Sequence, residues 1–349
     1  MLSQQTKEVS WWRERFPLNW KSLKDALLGE TMPNHMKIWW FALGGIPLFL
    51  FATLMVTGIL LAFNYVPEPP MAYKSVAKIT NEIPFGAWVR GIHKWSAEFM
   101  IITLILHAMR VAFTGAFRKP RELTWVFGAI LLLLALVEAF LGYSLIYEHL
   151  SYWAVVVGTN IAESIPLVGT FAANLLRGGP EIGPETWQRF FALHVAVVPL
   201  LIGLVITVHL TLVRAHGVAK IPGADNEESY KFYPDHVLRE AIIFIFLLFV
   251  FTILTVIFSP HMGSMADPLT TPAHIKPEWY FYWVFRLLKL VPLIVGVMIP
   301  VIGAVVFIIW PFIDGKIKQD DSKIDYLPIL GSLIALILIV MTIWEAVSF

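Results

Sequence analysis

Seven stretches of the chain stay predominantly apolar for about 20 residues or more, the length of helix that crosses a bilayer core. They are 38–63, 88–112, 123–146, 190–213, 240–259, 291–313 and 327–347. Runs this long and unbroken predict helices. A closed barrel is the only other arrangement that satisfies the backbone in lipid. Ahead of the first run, residues 1–37 are polar and charged, with no compact apolar core of a cleavable signal peptide. There Trp11, Trp12, Phe16, Leu18, Trp20, Leu23, Leu27 and Leu28 interleave with Arg13, Arg15, Lys21 and Lys24. Aromatic and basic residues both favour the membrane interface, so this segment predicts an amphipathic helix lying on the surface. The pattern as a whole predicts an all-α membrane protein with seven transmembrane helices.

The polar connections give orientation and domains. Lys21, Lys24 and Lys37 precede the first span. Arg118, Lys119 and Arg121 follow the second. Arg214, Lys220, Lys231 and Arg239 follow the fourth, and Lys316, Lys318 and Lys323 the sixth. The other connections carry fewer basic residues for their length, which places the N-terminus in the cytoplasm and the C-terminus outside. The connection 148–189 is long and rich in Pro and Gly, with room for short surface helices in 151–168; such a structured loop is often functional. The polar link after the fourth span divides the chain into a surface segment (1–37), a four-helix part (38–216) and a three-helix part (217–349). No internal repeat stands out.

Composition agrees with burial in lipid. Charged residues make up 15% of the 349 residues and hydrophobic ones 58%, against about 25% charged in soluble proteins. A net charge of +1 gives no case for nucleic-acid binding. The chain has no cysteine, which excludes disulfides, Cys-ligated iron–sulfur clusters and Cys-linked haem.

The chemistry lies in the histidines, which are costly inside a membrane and mark function by default. The second span carries His93 and His107, 14 residues apart; the fourth carries His194 and His209, 15 apart. At 1.5 Å per residue each pair is separated by roughly 21–23 Å, and fourteen residues is close to four turns. The two spans run in the same direction, so His93 is level with His194 and His107 with His209. Two imidazoles facing each other at two levels form the ligand set of two bis-histidine haems. Zinc fits less well, because two protein ligands fall short of its usual three or four. The plainer alternative is four polar residues serving as interhelical glue, which does not account for two matched pairs.

Glycines repeat the interval. Gly44 and Gly58 are 14 apart on the first span, as are Gly128 and Gly142 on the third. A missing side chain leaves space for a flat ligand, although small residues also serve plain helix packing. Arg90 and Lys94 flank His93, and Arg110 follows His107. These cations suit haem propionates, or snorkel to the interface.

Pro277-Glu278-Trp279-Tyr280 matches the Pro-Glu-Trp-Tyr motif of the cytochrome b family, and Arg90-Gly-Ile-His93-Lys-Trp95-Ser96-Ala97 is similar to its second helix. The run from Gly115 to Trp125 resembles the b cytochrome of photosynthetic bf complexes. The resemblance spans nearly the whole chain. Three features look bf-like: the spacing of 15 in the fourth span, seven spans and not eight, and Arg214 five residues after His209. The four-helix part and a three-helix part like subunit IV are joined here in one chain. Three features depart. Ala42, before Leu43-Gly44-Gly45, stands where the bf protein has the cysteine that attaches an extra haem. Gly142-Tyr143-Ser144-Leu145 runs into Ile146-Tyr147 with no Pro-Trp, and Glu138 replaces a small residue.

The resemblance implies a quinol-oxidising Rieske/cytochrome b complex, homodimeric, in a bacterial-type plasma membrane or a photosynthetic membrane. Its partners would be a Rieske iron–sulfur protein, a c-type cytochrome and quinone. Two non-covalent b haems would carry electrons from an outer site, where Glu278 accepts a quinol proton beside Tyr280, to an inner quinone near Arg214, His216 and Asp235. His35, His149, His236, His261 and His274 are expected to be ordinary loop or surface residues. A di-haem anchor of a quinone-linked dehydrogenase would not need the Pro-Glu-Trp-Tyr motif or three further helices. A transporter would show broken helices in place of stacked histidines.

Overall fold

The computed structural model describes residues 11–16, 31–219, 228–272, 275–317 and 326–348. Seven helices among these are long and apolar enough to cross a membrane: Gly45–Ala62, Gly86–Phe113, Glu122–Ser144, Pro184–His216, Phe232–Ile257, Leu293–Gly315 and Pro328–Val347. They are called the first to seventh spans below. Their outward faces are greasy, with Ile245, Phe246, Phe249, Val256 and Ile337 all exposed. Several of their threonines are satisfied within the helix. Thr53, Thr57 and Thr103 each donate to the carbonyl four residues back, at 2.9, 2.7 and 2.7 Å, which an apolar surrounding requires.

The first span packs on the second and the third on the fourth. The fifth and seventh also pack on the second, and the sixth on the third. Polar clamps join the two parts. Trp125 donates to the Phe307 carbonyl at 2.7 Å, and Arg118 pairs with Asp314 at 2.8 Å.

Several boundaries differ from the hydropathy pattern. The first run is interrupted: Trp39–Ala42 is a short helix, and the span starts at Gly45. The fourth and fifth spans begin earlier, at Pro184 and Phe232, because amphipathic turns precede their apolar runs. Helices also form outside the spans, at Met71–Asn81, His149–Glu163, Gly169–Arg177 and Tyr282–Leu290. These short amphipathic segments carry no long apolar run to announce them. Among the described residues one short ribbon accompanies the helices. Strand β1 (Thr31–Pro33) pairs antiparallel with β2 (Ser229–Lys231), so residues 31–37 form a strand and a tight turn, not part of a surface helix. Of the expected surface helix only Trp11–Arg15 is seen, anchored by Arg15 to Glu122 at 2.6 Å; residues 1–10 and 17–30 lie outside the described residues.

The fourth span contains a wide turn. Leu193–Val197 adopts π-helical geometry between two α-helical stretches. Pro199 lacks the N–H that would bond the Val195 carbonyl, which loosens the ladder there. A π-bulge adds one residue without adding a turn. That is the reason a spacing of 15 on this span faces a spacing of 14 on the second: the extra residue is absorbed, and His194 and His209 both line the same cavity.

Candidate functional site

A cavity of about 510 Å³ runs between the first four spans. All four spanning histidines line it, together with Gly44, Gly58, Gly128 and Gly142. Each glycine faces one histidine. A Cβ placed on Gly58 would come 3.3 Å from the His93 ring, and one on Gly44 would come 3.2 Å from His107. On the third span, a Cβ at Gly128 would come 3.1 Å from His209, and one at Gly142 only 2.6 Å from His194. The sequence spacing therefore resolves into two tiers: Gly58, His93, Gly142 and His194 toward the end that carries Glu278, and Gly44, His107, Gly128 and His209 toward the other. In the first tier the His93 and His194 ring centroids are 6.2 Å apart. Metal–imidazole bonds of about 2 Å on each side would separate the rings by about this much.

Hydrogen bonds fix which ring nitrogen remains available. The Thr57 hydroxyl donates to the Thr53 carbonyl and so accepts from His93 Nδ1, at 2.9 Å. His209 Nδ1 donates to the Thr124 carbonyl at 3.0 Å. In both rings Nε2 keeps its lone pair for a metal, the usual outer-shell arrangement of a ligating histidine. His194 Nδ1 lies 2.8 Å from Glu138 Oε1, off the N–H axis. His107 Nδ1 lies 3.4 Å from Arg110 Nη2, a donor. Among the described residues no three metal-ligating side chains converge, so the donor set is two imidazoles per tier, as a bis-histidine haem takes.

The cations divide in their use. Arg90 is buried on the cavity wall and donates to Thr80 Oγ1 at 3.2 Å and the Pro260 carbonyl at 2.9 Å. Arg110 Nε is buried with no hydrogen-bond partner, a vacancy that an anion such as a propionate suits. Lys94 is engaged by carboxylates, at 2.6 Å from Glu98 and 3.6 Å from Glu278.

At the Glu278 end the cavity wall is acidic. Glu98, Glu138, Glu148 and Glu278 all line it, with Tyr143, Tyr280 and His261. Glu278 caps the short turn Trp279–Phe281, and Tyr280 is buried beside it. Trp279 Nε1 donates to Glu98 Oε2 at 2.6 Å, so Glu98 ties the Pro277–Tyr280 turn to the second span. Burial pushes the Glu278 carboxyl above the usual carboxylate range, and the Lys94 ammonium opposes that rise. Sequence reasoning missed Glu98. The signal was present, since it is a carboxylate inside an apolar span one turn after Lys94. After Leu145, where the sequence has no Pro-Trp, Tyr147 lies against Trp187 with ring centroids 4.8 Å apart.

At the opposite end the expected residues do not all converge. Arg214 stacks on Phe232 at 4.0 Å, and the His216 ring nitrogens lie 3.0 and 3.2 Å from the Leu212 and Glu14 carbonyls. Asp235 is exposed and does not turn inward. The acid that does is Glu240, buried and pressed on Gly45, next to the glycine that faces His107. His236 is also buried, 3.6 Å from Glu240, and meets the Tyr230 hydroxyl at 2.9 Å; it is no surface residue. His35 is buried too, its ring against Phe41, so it is not a surface histidine either.

The glycine contacts predict a graded effect. Gly142→Ala is expected to displace His194 and so to cost any haem held in that tier, because its Cβ would sit well inside van der Waals contact. Gly58→Ala, at 3.3 Å, is expected to broaden or shift that haem's spectrum and leave it bound. Reduced-minus-oxidised spectra of the two variants measure the difference; equal spectra would contradict the cradle.

Comparisons with known proteins agree with this architecture. The family model described as Cytochrome b/b6/petB matches residues 27–217, and Cytochrome b(C-terminal)/b6/petD matches 265–348. The chain is 38% identical to the cytochrome bc complex cytochrome b subunit of Chlorobaculum thiosulfatiphilum, over 96% of this chain and 79% of that one. It is 42% identical to cytochrome b6 of Heliomicrobium gestii over 60% of this chain and 99% of that one. A solved structure titled Hyperthermophilic respiratory Complex III superposes with a TM-score of 0.80 at 25% identity, covering 97% of this chain and 91% of that chain. The chain belongs to the cytochrome b/b6 family, the integral membrane subunits of bc- and b6f-type complexes.

Proposed function

We propose that the chain is the di-haem subunit of a quinol-oxidising complex, oxidising quinol at the Glu278 end and reducing quinone at the Glu240 end. The observation that carries this reading is the pairing of four glycines with four histidines in two tiers along one cavity that reaches Glu278. Two b haems, when bound, supply one-electron carriers on the two sides of the membrane. His93 with His194, and His107 with His209, would hold their irons; Arg90 and Arg110 would meet their propionates. Quinol loses two protons with its two electrons, so its site needs a base with an exit. Glu278 would serve as that base, with Tyr280 beside it and Lys94 3.6 Å from its carboxylate. At the other end Arg214 and His236, both packed on Phe232, would flank the quinone region with His216 on the same side, and Glu240 would supply the buried acid expected at Asp235.

The distribution of basic residues supports a cytoplasmic N-terminus and puts the Glu278 end outside. Family membership supports a Rieske protein and a c-type cytochrome as partners, in a homodimeric assembly. The division at the link after residue 216 follows the proposed function, with haems in 38–216 and the Glu278 turn in 217–349.

Two measurements test the proposal. Pyridine haemochrome analysis of the purified complex should give two b haems per chain, both removed by acid acetone; the absence of extractable b haem would overturn it. The pH profile of quinol oxidation gives a second result. Protonated Glu278 cannot accept a proton, so the rate falls as pH drops through its raised pKa. Lys94 lowers that pKa, so Lys94→Gln should move the acid limb to higher pH. An unmoved limb would remove Lys94 from the site.

A further inference from the structure

The four haem-facing histidines have four different neighbours at Nδ1. His93 meets a hydroxyl, His209 a backbone carbonyl, His107 a guanidinium and His194 a carboxyl group. The last contact is made by Glu138, one turn before Gly142 on the third span; both residues face His194. Glu138 lines the cavity, and its second oxygen is buried with no hydrogen-bond partner. Nothing in the bf-like pattern calls for an acid there.

We infer that Glu138 is a positioning residue that sets the reduction potential of the haem held by His93 and His194, acting through His194. The inference rests on the haem reading above. A ring bonded to iron through Nε2 carries its proton on Nδ1, so Glu138 is the acceptor; a rotation of the ring brings the N–H onto the 2.8 Å contact. A carboxylate accepting that bond makes the imidazole a stronger donor to iron. It therefore favours the oxidised haem. In the other tier the Arg110 cation beside His107 favours the reduced haem. The two charges act in the same sense: an electron is held less tightly near Glu278 than near Glu240. That drives electrons away from the quinol-oxidising end.

The test is an optical redox titration of the purified complex from wild type, Glu138→Gln and Glu138→Leu. Glutamine keeps an acceptor and removes the charge; leucine removes both. The lower-potential b-haem wave is expected to move upward, less in the glutamine variant than in the leucine variant. The leucine variant should change the oxidised-to-reduced ratio at fixed potential by about tenfold, or about 59 mV for one electron. The low-spin ferric resonance of that haem should shift alongside, and the higher-potential wave should stay in place. A lower wave unmoved in both variants overturns the inference, as does an equal movement of both waves or loss of the lower wave from both. A wild type with no b-haem waves overturns the haem reading itself.

Discussion

On the proposed di-haem reading, His209→Leu is expected to halve the b-haem content, leaving one b haem per chain in place of two. His209 supplies one of only two imidazoles in its tier, and its orientation depends on a single bond from Nδ1 to the Thr124 carbonyl. Leucine fills a similar volume and offers no lone pair, so the bundle persists while the iron loses a ligand. The first tier does not share residues with the second, and its haem should keep its spectrum. Electron flow then stops partway: quinol reduces the haem near Glu278, and no electron arrives near Glu240. Haemochrome quantitation with flash- or quinol-driven reduction separates these effects. Two haems per chain in the variant would show that His209 is not a ligand.

Glu278→Gln is expected to slow quinol oxidation by about 10²-fold, the lower range for removing a general base. The amide can still accept from Lys94, so the turn at Pro277–Tyr280 keeps its place, as does the Trp279–Glu98 bond at 2.6 Å. Haem spectra and quinone reduction at the far end should be unchanged, and the acid limb of the rate should disappear. An undiminished rate would hand the proton to another of the acids on the wall, with Glu98 and Glu148 the nearest alternatives by position.

Much of this was legible in the chain because lipid makes its rules strict. Long apolar runs have one helical solution, and histidines in them need a reason. The glycine interval reads directly onto the histidines it faces. What stayed hidden depends on geometry that periodicity does not carry. The 15-residue interval was visible, but its π turn follows from Pro199 acting on a ladder three-dimensionally. Asp235 stands just before an apolar run, but after the bend at Phe232–His236 it is Glu240 that is buried. Glu98 is visible as a carboxylate in an apolar span, but its tie to Trp279 is not, because that partner lies 181 residues away in sequence.

The ribbon of β1 and β2 has a consequence for how the protein is made. Thr31 pairs with Lys231, so a strand that leaves the ribosome early waits two hundred residues for its mate. Four spans must enter the membrane before that pairing exists, and such distant contacts form late. The four-helix bundle can therefore enter the membrane before the ribbon forms, and the ribbon closes as residues 229–231 emerge ahead of the fifth span.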